Sequence, residues 1–329
     1  MDIRHLRYFI AIARCGSVSA AADALHVAQP SLSQHIHRIE EELSVKLLIR
    51  SARGVTLTES GQRLLAHADD IVGRLDAAVA EMRDLSDEVG GPVSIGLPSV
   101  AGNVLTVPLA ETIRHELPNV TLRMMEGMSG HVQAWLVDVA VDIGILYDVN
   151  DLRSLKVQPL MVEAMSLIAA KDNWPYEVGA GGLASDPVRF EDCAALDLIL
   201  PNRSHGLRET IERYARAQAI ALTIPLEVDS LLQIKRLVAR GSGYTILPQV
   251  AVVDDLASGT LVSIPIVQPA VRSTVYLVTN PQRQQSRAAK SVERTAICVI
   301  TELVRRGLWL GELIDGDPPG QPVMVRHPE

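Results

Sequence analysis

The sequence predicts an α+β protein of several domains, in which a small helical domain, one long helix and a larger α/β domain follow one another. Residues 1–57 hold three short amphipathic helical patterns, and residues 58–89 carry apolar side chains at heptad spacing before Gly90-Gly91-Pro92 ends the helix. Residues 90–305 alternate short apolar strands with amphipathic helices, which is typical of βαβ units and mainly parallel sheets. The Pro- and Gly-rich end predicts a tail over 306–329.

Composition excludes several classes of protein. The chain of 329 residues is 47% hydrophobic and 21% charged, as globular proteins are. No uncharged apolar stretch approaches the roughly 18 residues of a membrane span, and the N-terminus has no signal-peptide core, so we expect a cytoplasmic protein with no membrane partner. Three widely spaced cysteines, Cys15, Cys193 and Cys298, favour buried thiols over a disulfide framework or a zinc site.

Charge is distributed unevenly along the chain. The formal net charge is −8, with +2 over residues 1–65, −5 over residues 66–89 and −5 over residues 90–329. An acidic total argues against a protein that coats nucleic acid without sequence preference, because phosphate contacts need Lys and Arg. The first segment alone is net positive, so a small local DNA-binding face is compatible with the total.

The N-terminal domain is predicted to contain three helices. The first covers about residues 3–14, and Ser17 or Ser19 can cap a short second helix after it. The third runs from Gln29 to Leu43, with a proline in its first turn, where the missing N–H costs nothing. Its apolar residues recur every three or four positions and predict one buried stripe, formed by Leu32, Ile36, Ile39 and Leu43.

The opposite face of the third helix carries short polar side chains that suit DNA. Gln reads adenine edges in a bidentate manner, and Ser contacts a base or a phosphate. The acidic run Glu40-Glu41-Glu42 follows this face and would repel phosphate, so we expect the N-terminal half of the helix to enter the major groove, as in a helix-turn-helix. The alternative is a three-helix bundle with a solvated polar face. The candidate DNA-binding residues are Gln29, Pro30, Ser31, Ser33, Gln34, His37 and Arg38.

The stretch IRSARGVTLT, residues 49–58, predicts a basic hairpin beside this helix. Arg50 and Arg53 flank the turn, and Gly54 can adopt the positive φ that such a turn requires. A basic hairpin next to a recognition helix is typical of a wing that contacts phosphates or the minor groove. Arg50 and Arg53 therefore complete the set of candidate DNA-binding residues.

The long helix predicts a dimer. From residue 64 its apolar side chains are separated by alternating steps of four and three residues, and acidic residues occupy the other face. A single helix packed on its own domain is the alternative, which the acidic face makes weaker. A two-fold dimer should bind an inverted repeat with half-sites about one DNA turn, ~34 Å, or a multiple of it apart. The predicted dimer seam comprises Leu64, Ala68, Ile71, Leu75, Ala78, Met82, Leu85 and Val89.

In the α/β domain, polar residues follow several predicted strands. Ligand clefts in open α/β sheets lie at the carboxyl ends of strands, beside helix N-termini whose free N–H groups attract anions. We therefore expect a small, anionic ligand at these strand ends, with Arg203 nearby. The candidate residues are Ser99, Val100 and Asn103 after strand 93–97, Met128 and Ser129 after strand 120–125, and Asn202, Ser204 and His205 after strand 196–200.

No catalytic set, metal site or cofactor is predicted. The sequence has no Walker A loop, no GxGxxG after a strand, no HExxH and no GxSxG. His35 and His37 would lie on poorly matched faces of one helix, and Ser204 and His205 are sequence neighbours rather than parts of a triad. A solute-binding protein or enzyme built on the α/β unit, and a nonspecific DNA-organising protein, are the competing interpretations.

Residues 17–61 resemble the N-terminal winged helix-turn-helix of LysR-type transcriptional regulators, with the sequence SVSAAADALHVAQPSLSQHIHRIEEELSVKLLIRSARGVTLTESG. Its LLIR and RGVTLT segments are similar to the nitrogen assimilation control-like subgroup. Three positions depart from the family pattern: Ala28 replaces a common Ser or Thr, Ser44 a common helix-ending Gly, and Leu48 a common Phe. Loss of a cap hydroxyl at position 28 is expected to cost about 1 kcal/mol.

The resemblance implies a regulator with a C-terminal effector-binding domain over 90–305. That domain is expected to have two subdomains, as in periplasmic binding proteins, one at 93–163 plus 268–305 and the other at 164–267. A homodimer and a homotetramer, inverted-repeat promoter sites in double-stranded DNA, and contact with RNA polymerase are further implications. Effector binding is expected to close the cleft and rotate the sensor dimers.

The resemblance also implies which residues line the effector cleft. Four of the candidate residues match positions that line this cleft in the family, namely Ser99, Met128, Ser129 and Asn202. It adds Thr245 at the start of the strand YTIL, and it supports Ser204 and His205.

Overall fold

The structure is a computed structural model that describes residues 1–25, 27–51, 54–84, 89–148 and 154–314. It divides into two compact units, Met1–Ser86 and Asp87–Glu329.

The first unit has the predicted three helices and a β-hairpin. Its core is formed by the inward faces of the helices and by the start of the hairpin, with Phe9, Leu32 and Leu47 almost fully buried. Both the helices and the hairpin agree with the sequence-based prediction. The elements are α1 (Ile3–Cys15), α2 (Val18–Ala24), α3 (Gln29–Leu43), β1 (Leu48–Ser51), β2 (Gly54–Leu57) and α4 (Glu59–Asp84).

Helix ends follow the local sequence. Ser17 caps α2, because its hydroxyl accepts the Ala20 N–H at 3.4 Å. Ala28 precedes α3 without any side-chain cap, as the absence of a hydroxyl predicts. Ser44 ends α3 in the left-handed conformation, with φ +55°, where glycine fits without steric cost.

The long helix α4 begins by packing on its own unit. Ala68 is fully buried, and together with partly buried Leu64 it packs against Leu6 and Ile10 of α1. Part of the predicted dimer seam is therefore used within the protomer. Farther along α4, three seam residues are exposed, namely Ile71, Leu75 and Ala78. Leu85 and the side chain of Met82 lie outside the described residues, and Val89 packs on the core of the second unit.

The second unit begins with a parallel βαβαβ arrangement. Strand β3 (Gly91–Pro98) lies between β4 (Val120–Gly127) and β5 (Ile143–Tyr147), and all three run in the same direction. The connecting helices are α5 (Ser99–Glu116) and α6 (Ser129–Val137). We call the layer built on β3, β4 and β5 lobe one.

The long strand β6 (Lys156–Ala170) links lobe one to a second layer, which we call lobe two. Its first half pairs antiparallel with β12 (Arg272–Thr279), and its second half pairs antiparallel with β10 (Thr245–Pro248) and β11 (Leu261–Val267). The sheets are therefore mixed, and the expectation of mainly parallel sheets is wrong for this part. The reason is that β6 and β12 carry the chain between the lobes in opposite directions.

The other elements complete the two lobes. Lobe two contains a second parallel strand pair, β8 and β9, and four helices, while a long amphipathic helix covers lobe one. The elements are β7 (Val188–Arg189), α7 (Phe190–Ala194), β8 (Ile199–Leu200), α8 (Gly206–Ala217), β9 (Leu226–Glu227), α9 (Leu231–Ala239), α10 (Val253–Ala257), α11 (Arg287–Arg305) and β13 (Glu312–Leu313).

The segment after α11 is part of the folded domain. Trp309 is fully buried, and its indole N–H donates to Glu163 Oε2 at 2.6 Å. Strand β13 pairs with the middle of β6. The prediction of a tail from residue 306 is therefore wrong for residues 306–314, because this segment packs against the sheet. Residues 315–329 lie outside the described part.

Candidate functional site

The polar face of α3 is exposed over its N-terminal half. Its apolar face is buried, with Leu32, Ile36 and Ile39 each at most 1% exposed. Leu43, expected in the same buried stripe, is 39% exposed, because α3 ends there and the chain turns away. Ser33 is half-buried, and the other candidate residues are exposed, namely Gln29, Pro30, Ser31, Gln34, His37 and Arg38.

A groove of about 530 Å³ runs between this face and the start of the hairpin. Candidate DNA-binding residues of α3 form one side of the groove, and the segment leading into β1 forms the other. Its walls are formed by Ser33, Gln34, His37, Glu40, Lys46 and Leu48.

The glutamates at the end of α3 have partners within the first unit. Glu40 points into the groove, where its carboxylate accepts the Lys46 ammonium at 2.7 Å and the backbone N–H groups of Leu47 and Leu48. Burial alone would raise the pKa of Glu40, but these hydrogen bonds together lower it. Glu41 lies 3.2 Å from His37 Nε2. Glu40 therefore anchors the start of the hairpin, a role that phosphate repulsion alone did not predict.

The hairpin forms as expected at its described residues. Gly54 has φ +124°, and a Cβ there would lie 2.6 Å from the Gly16 carbonyl oxygen. The neighbouring Val55 N–H donates to that same oxygen at 2.7 Å, which ties the hairpin to the turn after α1. Arg50 lies on β1, with its side chain outside the described residues, and Arg53 lies wholly outside them.

The histidines of α3 face in different directions. His35 packs between the rings of His5 and Tyr8, at centroid distances of 4.8 and 5.2 Å, and burial lowers its pKa. His37 faces the solvent. Across the described residues, no group of three or more His, Cys, Asp or Glu side chains is arranged to hold a metal ion. Cys193 is buried, but Cys15 is exposed at the end of α1 and Cys298 is partly buried, so the expectation of buried thiols is wrong for these two.

In the second unit, two helices begin side by side at the edge of lobe one. Pro98 and Gly127 are register partners at the ends of the paired strands β3 and β4. Helix α5 starts at Ser99, one residue after Pro98, and α6 starts at Ser129, two residues after Gly127, with Met128 as its N-cap residue. Val100 is 5% exposed and packs into the core of lobe one.

Several candidate cleft residues are already hydrogen-bonded to other protein groups. The Asn103 amide donates to the Ala251 carbonyl at 3.3 Å. Asn202 donates to Asp229 at 2.6 Å, and its own amide oxygen accepts the Ser204 hydroxyl at 2.6 Å. These contacts stiffen the loop after β8.

His205 and Thr245 carry buried polar atoms. His205 is 4% exposed and Thr245 is 0% exposed. Neither the His205 ring nitrogens nor the Thr245 hydroxyl has a hydrogen-bond partner among the described groups, although Asp229 Oδ1 lies 3.4 Å from His205 Nε2. Burial lowers the pKa of His205, and the charge of Asp229 opposes this effect.

Two further residues lie at this edge that the sequence did not predict. His131 lies in the first turn of α6, and its ring is 5.9 Å from the His205 ring. Asp148, directly after β5, is buried and hydrogen-bonded. Both residues are far in sequence from the 202–205 loop, so local patterns did not place them beside it. For Asp148, the available signal was a carboxylate directly after a fully apolar strand.

Family models match both parts of the chain. Residues 3–62 match "Bacterial regulatory helix-turn-helix protein, lysR family", and residues 86–296 match "LysR substrate binding domain". Of the helices described here, none is both long and apolar enough to cross a bilayer.

Individual proteins match over most of the chain. The nitrogen assimilation regulatory protein Nac of Klebsiella aerogenes is 32% identical over 252 residues, 76% of this chain and 79% of that protein. The regulator OxyR of Escherichia coli is 28% identical over 281 residues, 85% of this chain and 90% of that protein.

Solved structures match in fold. A full-length OxyR variant from Pseudomonas aeruginosa has a TM-score of 0.67 at 22% identity, covering 91% of this chain and 94% of that one. Full-length CbnR complexed with its target DNA has a TM-score of 0.63 at 20% identity, covering 93% of this chain and 99% of that one.

Proposed function

The chain belongs to the LysR family of DNA-binding transcriptional regulators, and from this premise we propose that it reads DNA through the exposed N-terminal half of α3. The observation that carries the proposal is the solvent-exposed set of polar side chains opposite the buried stripe of that helix. Gln34 has the chemistry to read a base edge, and Ser31 and Arg38 can contact phosphates. The hairpin, held beside α3 through Glu40, acts as the wing.

We propose that two copies pair through the exposed part of the α4 stripe. Ile71 and Leu75 are 45% and 40% exposed, although both are large and apolar. A helix pair would cover them, which supports a homodimer on an inverted repeat and, by analogy with the family, a homotetramer. Such a regulator acts in the cytoplasm at promoters and is positioned to contact RNA polymerase.

We propose that the cleft beside the α5 and α6 N-termini binds a small anionic effector. Two helix N-termini side by side present free N–H groups to a negative group. His205 Nδ1 and the Thr245 hydroxyl are buried and have no hydrogen-bond partner among the described groups, which supports a polar ligand. The full set proposed for the cleft is Ser99, Val100, Asn103, Met128, Ser129, Asn202, Ser204, His205 and Thr245.

We propose that the response depends on ligand binding rather than on catalysis or on oxidation of the Cys193 and Cys298 thiols. Reactive cysteines are thiolates near neutral pH. Cys193 is fully buried, and burial raises its pKa to about 12, while burial also raises the pKa of Cys298. Oxidation of these two thiols is therefore disfavoured.

The test is retention of genomic DNA fragments by the purified full-length chain, followed by sequencing. A few fragments that share an inverted repeat support the proposal. Uniform retention indicates a nonspecific binder, and no retention indicates a protein without a role at DNA. Both outcomes would contradict the proposal.

A substitution on α3 links this result to the proposed face. Gln34→Ala is expected to weaken discrimination at one base position by about 1–3 kcal/mol, or roughly 5- to 150-fold. Gln218→Ala, an exposed glutamine at the end of α8, is the matched control. Equal sequence preferences in both variants would remove Gln34 from the recognition surface.

A further inference from the structure

A buried carboxylate joins the two lobes of the effector domain. Asp148 follows β5 of lobe one and is 9% exposed. Its Oδ2 accepts the hydroxyls of Thr210, on α8 of lobe two, and Ser273, on β12, both at 2.6 Å. Its Oδ1 accepts the Thr274 N–H at 3.2 Å and lies 3.6 Å from the Arg213 guanidinium. We call these five residues the Asp148 cluster.

The backbone of Asp148 is held in an uncommon conformation. Its φ is +26°, on the left-handed side, where non-glycine residues are infrequent. Such a conformation persists only where surrounding contacts determine it. The hydrogen bonds of the Asp148 cluster are contacts of this kind, and they come from both lobes.

Two glycines lie where the lobes touch. A Cβ on Gly206, the first residue of α8, would overlap the carbonyl oxygen of Tyr147 at the end of β5. A Cβ on Gly130, in α6, would lie 2.7 Å from the carbonyl oxygen of Ser204. Neither glycine has a positive φ, so their backbones would accept alanine. What excludes a side chain at either position is the closeness of the other lobe.

The lobes also touch near α5. Asn103 of α5 donates to Ala251, which follows β10 of lobe two. Near α6, the rings of His131 and His205 face each other across the same boundary. Three candidate cleft residues, Asn103, Ser204 and His205, therefore take part in contacts between the lobes.

We propose that the Asp148 cluster holds the lobes closed and that Gly130 and Gly206 set how closely they approach, so that this contact regulates access to the effector cleft. The inference rests on the proposed function, since it concerns regulation of the same cleft. An effector shifts the balance between open and closed lobes only by binding one arrangement better. Loss of the Thr210 hydroxyl removes a contact of the closed arrangement, and a methyl group at position 206 adds a clash in that arrangement.

The experiment measures the distance between the lobes in the full-length protein. Nitroxides are attached to cysteines introduced at Thr121, in lobe one, and Ser242, in lobe two, both of which are exposed. Cys15 and Cys298 are replaced by alanine, and buried Cys193 is kept. The labelled chain is co-assembled with an excess of unlabelled chain, so that the measured distances lie within one protomer. Double electron–electron resonance then compares this parent with Thr210→Val and Gly206→Ala.

The expected result is a second, longer distance in both variants. Thr210→Ser, which keeps the hydroxyl, and Gly73→Ala, at a helical glycine with no atom within 4 Å of where a Cβ would lie, should retain the parent distribution. Parent-like distances in folded Thr210→Val and Gly206→Ala would overturn the proposal, as would equal opening in Thr210→Ser and Thr210→Val. Fragment retention tests the proposed function separately, so either proposal can fail alone.

Discussion

At the scale of single residues, Ser44 occupies a backbone position that favours glycine. It ends α3 at φ +55°, and its hydroxyl lies 3.5 Å from the Glu41 carbonyl. A side chain in the left-handed conformation costs about 1–2 kcal/mol, partly offset by the greater freedom that glycine has when unfolded.

We therefore expect Ser44→Gly to stabilise the first unit by about 0.5–1 kcal/mol. The measurement is urea denaturation of the full-length chain, with helix content as the probe. Ser60→Gly, a partly buried position within α4, is the control and should destabilise. Destabilisation by Ser44→Gly would show that its hydroxyl matters more than its φ.

A second residue-scale prediction concerns Glu163. It is 1% exposed, and burial raises its pKa to about 8, with the charge of Asp148 acting in the same direction and the hydrogen bond from the Trp309 indole opposing it. The unfolded carboxyl ionises near 4.5, whereas the folded one keeps its proton. Its contribution to stability is therefore complete below pH 4.5 and is lost as pH rises to about 8.

Glu163→Gln should remove this loss, because the amide does not titrate and its oxygen can still accept the Trp309 N–H. The free energy of unfolding of the wild type should fall relative to the variant by up to about 1.4 kcal/mol per pH unit across that window. Urea denaturation at several pH values measures the difference, with exposed Glu177→Gln as the control. If the free energies of unfolding of wild type and Glu163→Gln changed with pH in the same way, the raised pKa of Glu163 would be contradicted.

At the scale of elements, α4 combines two roles along one stripe. Ala68 packs against α1, while Ile71 and Leu75 are exposed three and seven residues later. Heptad spacing identified the stripe but could not tell which partner each part would meet, because apolar spacing is the same for both.

We expect Leu75→Asp to abolish specific DNA retention while the protomer stays folded. Position 75 is exposed in the protomer, so a charge there is tolerated, but a partner helix would bury that charge in the dimer seam. Light scattering and circular dichroism measure assembly and folding, and a mobility-shift assay measures binding. Ala66→Asp, on the far side of α4, should behave as wild type. Wild-type affinity in Leu75→Asp would refute the dimer seam.

The elements also show what sequence could and could not predict. The helices of the first unit and strands β3, β4 and β5 follow from apolar periodicity and turn residues. Strand β6 joins both lobes through partners more than seventy residues away, which local patterns do not encode. The ends of predicted strands identified the cleft candidates. The contacts of Asp148 and His131 with lobe two become visible only in the folded domain, where the two lobes lie together.

At the scale of the whole molecule, the DNA-binding segment is weakly basic and the rest of the chain is acidic. The net charge is +2 over residues 1–65 and −5 over each of the two following segments, 66–89 and 90–329. One such face neutralises few phosphates, so useful affinity needs two or more of them on one DNA.

We therefore expect affinity to fall steeply with salt. The slope of log K against log salt is about −0.9 for each phosphate neutralised, so Leu75→Asp, with one face, should give about half the wild-type slope on nonspecific DNA. Fluorescence anisotropy over a salt series measures both slopes. Equal slopes would mean that the second face adds no phosphate contacts.

The long strand β6 has a consequence for the order of synthesis. The first unit ends at Ser86, but β13, the last partner of β6, follows the end of that strand by more than 140 residues. At ribosomal rates of about 5–20 residues per second, that interval lasts roughly seven to thirty seconds. Each newly made chain thus acquires its DNA-binding unit before it acquires the capacity to respond to an effector.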